Sequence, residues 1–76
     1  MIKEKLYDAL YDRYKAEQSE ALCNLQMYFR ECVGVADHPN TVDTVAKLFE
    51  EYAEATENLK LLKDNRYEFV RHERLL

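Results

Sequence analysis

The sequence predicts an all-α fold, a two-helix antiparallel hairpin with helices over about residues 2–33 and 41–73, and three observations carry that expectation. The only Gly and the only Pro fall in one stretch, Gly34 to Asn40, so helix breakers are confined to a single place. On both sides of it apolar residues return every three or four positions, the period of one helix face. The connection is also short, and short connections make consecutive helices antiparallel neighbours. The whole chain, residues 1–76, then forms a single helical-hairpin domain.

In the first helix the inward residues are Tyr7, Tyr11, Tyr14, Ala21, Leu25, Tyr28, Cys32 and Val35, with Gln18 filling the one polar step. Gly34 suits the left-handed position that ends a helix, and Val35 beyond it suits the accompanying contact back onto the last turn. Pro39 closes the turn. Asn40 or Thr41 supplies an N-cap for the second helix, and Asp43 places a carboxylate in its first turn, where the helix dipole favours negative charge. The second seam then runs Val42, Val45, Phe49, Tyr52, Thr56, Leu59 and on toward Val70.

Folding the chain at the turn pairs residues whose numbers sum to about 74. Leu25 then meets Phe49, and Gln18 meets Thr56 in a polar layer of the kind that fixes register at some cost in stability. Toward the termini Tyr7 and Tyr11 face Arg66 and Lys63, close enough for cation–π contact.

A second apolar ladder accompanies this seam. Leu48, Ala55, Leu62, Phe69 and Leu76 lie seven residues apart and fall beside the expected seam, as Leu22, Phe29 and Ala36 do on the first helix. Three apolar positions per heptad describe a helix in a bundle, whereas two suffice for a simple paired seam. A chain of 76 residues is also small for a self-sufficient core, and oligomerisation is one of the few ways to complete it. The expected closure is a homodimer forming a four-helix bundle, with Leu22, Phe29, Leu48, Ala55 and Leu62 at the dimer interface.

Other staples fail. Cys23 and Cys32 would share one helix about 13 Å apart along its axis, too far for a disulfide, so both read as free buried thiols in a reducing, cytoplasmic setting. No run of some 18 apolar residues exists to span a membrane.

The formal charge of −4 is unevenly spread: residues 16–57 hold two Lys or Arg against nine acids, while residues 58–76 hold five against three. A hairpin so charged is a rod with a basic terminal end and an acidic body and tip, which on charge alone favours an antiparallel arrangement of two copies.

No catalytic, cofactor or metal constellation survives inspection. Glu50-Glu51-Tyr52-Ala53-Glu54 resembles the EExxE half of the Mg²⁺-binding signature of all-α nucleotide pyrophosphohydrolases, but Arg71 stands where the second half requires an acid. That leaves, at most, a pyrophosphohydrolase-like remnant. His38 and His72 lack the Glu three residues earlier that diiron bundles use, and the one serine, Ser19, has no His near it in the helix. Tyr7, Tyr11, Tyr14, Arg66, Tyr67 and Phe69 gather basic and aromatic character at the terminal end. That is a candidate docking surface for an unidentified protein partner and, as a weaker alternative, for a nucleic-acid strand. Interspersed acids and overall acidity oppose the nucleic-acid reading. The sequence therefore predicts a non-catalytic interaction or accessory protein acting as a homodimer. Its size and density of helix formers resemble small accessory proteins of phages or mobile elements.

Overall fold

A computed structural model describes residues 2–31 and 40–70. Helix α1 spans Ile2–Arg30, α2 spans Thr41–Asp64, and a single turn, α3, spans Arg66–Val70. The two long helices pair along their length as a hairpin, and α3 folds onto the base of α1. The expected ends at Gly34 and Pro39, along with His38, Cys32, Ala36, Leu76 and His72, lie outside the described residues.

The second helix is shorter than its periodicity suggests, and the break falls at Asn65. That residue's side-chain Nδ2 donates to the carbonyl of Leu61 at 2.8 Å, and its backbone N–H donates to the same oxygen at 3.0 Å. Asn competes for backbone groups in this way, which makes it a poor continuation of a helix. Its carbonyl then accepts the N–H groups of Glu68 and Phe69, which restarts the chain as α3 on a bent course. The bend delivers Val70 to Tyr7 and Leu62, with Leu10, Tyr11 and Tyr14 packed around them.

At the other end Asn40 is the N-cap, but by backbone alone: its carbonyl accepts the Thr44 N–H at 3.0 Å, with no side-chain cap. Thr41 behind it is buried.

The α1 seam is the one the sequence specifies as far as Leu25; Tyr28, also expected inside, is 40% exposed, because among the described residues only the small side chains of Asn40, Thr41 and Thr44 lie beside its ring. Tyr7, Ala21 and Leu25 are buried, and Tyr11, Tyr14 and Gln18 are half-buried between them. The α2 seam differs by one position. Ala55 is 2% exposed and Leu62 is 6% exposed, so these two rungs of the ladder lie between the helices of a single hairpin, with Leu48 half-buried beside them. Val42 and Phe49, expected inside, are 72% and 57% exposed. The seam thus runs Val45, Leu48, Tyr52, Ala55, Leu59 and Leu62. The physical reason lies further along: after Leu59 the expected stripe steps to Lys63, whereas the observed one steps to Leu62. Burying leucine rather than a lysine ammonium decides the rotation of the whole helix.

The register itself is as expected. The Gln18 amide donates to the Thr56 hydroxyl at 3.0 Å across the seam, and the Arg66 guanidinium sits 5.0 Å from the centre of the Tyr7 ring. No side chain among the described residues is fully buried, so the hairpin has a thin core.

Candidate interaction surface

The two broad faces of the hairpin have opposite characters. In an antiparallel pair of right-handed helices, residues that follow seam positions lie on one face and residues that precede them lie on the other. After the seam positions come Leu22 and Phe29 on α1, and Val42, Phe49 and Thr56 on α2. One step further out are Ser19 and Gln26, and Ala46 and Ala53. All nine are uncharged, and eight are exposed, with Thr56 half-buried.

Phe29, 67% exposed, and Phe49 anchor this patch in the tip half of the molecule. Phe49 is held in place by an edge-on contact with Tyr52, its ring centroid 6.5 Å away. Toward the terminal end the same face turns charged, with Asp8, Asp12 and Lys15 on α1 and Lys60 and Lys63 on α2.

The opposite face is acidic. Glu17, Glu20, Ala21, Asn24, Glu51 and Glu54 line a shallow groove there. Glu51 and Glu54 are two of the three carboxylates of the EExxE element, and all three, with Glu50, are exposed to water. Among the described residues no group of three or more His, Cys, Asp or Glu is placed to hold a metal ion.

The residues named from sequence therefore part company. Leu22 and Phe29 lie on the uncharged face, while Ala55 and Leu62 are consumed inside the hairpin and offer nothing to a second copy. At the terminal end Tyr7 is buried, Tyr11 stacks on it with centroids 6.5 Å apart, and Tyr14 is half-buried. Those three rings support the core where α3 docks. Arg66, Tyr67 and Phe69 remain exposed at the surface.

The basic residues nearby are partly engaged along their own helices. Arg13 pairs with Glu17 at 3.1 Å and Lys60 with Asp64 at 2.7 Å, both in i, i+4 geometry. The hydrogen bond to Asp64, and then its charge, hold the Lys60 ammonium above its ordinary 10.5. Cys23, expected to be buried, is exposed on the side of α1 away from the seam and is a free thiol.

Val42, Phe49 and Thr56 are the members of this surface that sequence reasoning assigned to the seam, and of the three only Thr56 stays half-buried, bonded to Gln18. The signal that would have placed them outside is Lys63, which shares their seven-residue register.

Comparison with protein-family models, curated proteins and solved structures returns no match. None of the described helices is long and apolar enough to cross a membrane.

Proposed function

We propose that this chain is a small, non-catalytic interaction or accessory protein that works as a homodimeric four-helix bundle. One observation carries the reading: nine consecutive positions on one broad face, from Ser19 to Phe29 and from Val42 to Thr56, are uncharged in a chain that is one-third charged. On a solvated helix those positions would ordinarily carry Lys or Glu, as the opposite face does. Large exposed apolar patches on small proteins mark binding surfaces.

The thin core points the same way, because a second hairpin laid on this face supplies the burial that one hairpin lacks. The unpaired Cys23 supports a reducing, cytoplasmic setting. Arg66, Tyr67 and Phe69 offer a separate surface at the terminal end for an unlike partner. The inward packing of Tyr7, Tyr11 and Tyr14 weighs against a nucleic-acid strand stacking there.

Light scattering on the purified chain at micromolar concentration tests the reading. A particle of twice 9.1 kDa is expected, and a well-folded monomer overturns it.

A further inference from the structure

We infer that two copies dock through the uncharged face side by side, with tips together and the two-fold axis running along the hairpin, so that α1 of each copy lies on α2 of the other. The inference rests on the homodimer proposed above and specifies which surface and which orientation that dimer uses.

Three dockings of this face on itself are distinguishable. In the first, the copies run antiparallel and overlap along their full length. The apolar half of each then covers the charged half of the other, setting Leu22 over Asp8 and Asp12, and Ala53 and Thr56 over Lys60 and Lys63. Acids and lysines would be desolvated against apolar groups, which is costly. In the second, the copies run antiparallel with only the tip halves overlapping, so the charged halves project unused and the buried area falls by about half.

The third docking uses the whole face. With tips together, the pairing rule that holds within the hairpin, numbers summing to about 74, also holds between copies. Phe29 then enters the gap between Val42 and Ala46 of the second copy, and Leu22 the gap between Phe49 and Ala53, each large side chain beside a small one. Lower down, Asp12 falls level with the gap between Lys60 and Lys63, and Asp8 just beyond Lys63. Lys15 falls near Lys60, whose charge Asp64 already balances. Asp8, Asp12 and Lys63 form no ion pair among the described residues and are available for this exchange.

The overall charge asymmetry, basic end against acidic body, does not bear on this choice. Glu17, Glu20, Glu51 and Glu54 line the other face and never meet the interface.

The orientation is read from a spin label at Ile2→Cys, an exposed position in the outward seven-residue register of Cys23, in a Cys23→Ser, Cys32→Ser background, with dimer mass checked by sedimentation and helicity by circular dichroism. With tips together the two labels share one height and lie roughly 20–30 Å apart, a separation set by bundle width. Either antiparallel docking places them roughly 40 Å or more apart, because at 1.5 Å per residue their heights differ by most of a helix. A dimer with the long distance overturns this orientation while leaving the homodimer standing, and a folded monomer overturns both.

A charge exchange provides an independent readout. Lys60→Asp with Lys63→Asp, or Asp8→Lys with Asp12→Lys, weakens dimerisation by about tenfold. Combining all four restores it. Failure of the combination to recover affinity overturns the pairing.

Discussion

Phe49→Ala is the substitution that most sharply separates a docking surface from a core. A phenylalanine side chain has about 200 Å² to bury, and Phe49 leaves 57% of its surface exposed in the isolated hairpin. Docking a second copy removes that part from water, and an alanine would recover only about a quarter of it. At about 25 cal/mol per Å², the loss is about 2 kcal/mol per copy and about 4 kcal/mol per dimer, roughly a thousandfold in Kd. The assay is sedimentation equilibrium across a dilution series, paired with urea unfolding at concentrations where only monomer remains.

In that monomer Phe49→Ala should cost little, because the ring has only Tyr52 and the edge of the seam to lose. Leu62→Ala, by contrast, removes a buried side chain from between the helices. It should destabilise the hairpin itself by about 2–5 kcal/mol, at every concentration. If Phe49→Ala leaves Kd unchanged, or destabilises the monomer as much as Leu62→Ala does, the assignment of Phe49 to an outward binding face is wrong.

Other substitutions test the frame that carries this surface. Thr56→Val strands the Gln18 amide in a half-buried layer and should cost about 1 kcal/mol in urea unfolding, whereas Gln18→Leu with Thr56→Val should recover the loss and make the register less definite. Ala55→Leu forces a larger side chain where the helices are closest and should cost about 1–3 kcal/mol, seen as a lower unfolding midpoint. Arg66→Ala removes the cation from the Tyr7 ring, a loss of about 0.5–1 kcal/mol that should appear as faster amide exchange in α3. Because Asp64 raises the Lys60 pKa, that pair's contribution is complete below 10.5 and disappears as pH rises through the raised value. An alkaline titration of wild type against Asp64→Asn should therefore diverge only below that point.

Most of the hairpin was legible because its signals are local and repeated: one Gly, one Pro, and an unbroken period of three and four on each side. The Gln18–Thr56 contact followed from antiparallel pairing alone, since the turn fixes the register of everything behind it. The rotation of α2 was harder to read. Val42, Phe49 and Thr56 form one stripe and Leu48, Ala55 and Leu62 another, one residue apart and nearly equal in apolar content over their first turns. Only the last turn separates them, where Lys63 belongs to the first and Leu62 to the second. The end of α2 at Asp64 was masked because Arg66–Val70 keeps helical periodicity after the break, and Asn65 stops a helix through its side chain without any Gly or Pro to announce it. An exposed apolar stripe does exist, but on Leu22, Phe29, Val42 and Phe49: of the five residues expected at a dimer interface only Leu22 and Phe29 lie on it, and Leu48, Ala55 and Leu62 turn into the seam.

The central claim, that a second copy covers the uncharged face and completes the core, is tested most directly by thermal unfolding over a hundredfold range of protein concentration. A bundle of two copies predicts a melting midpoint that climbs steadily with concentration, because association stabilises the folded state by mass action. A midpoint that stays fixed across that range, with one cooperative transition, would mean that the hairpin is complete by itself.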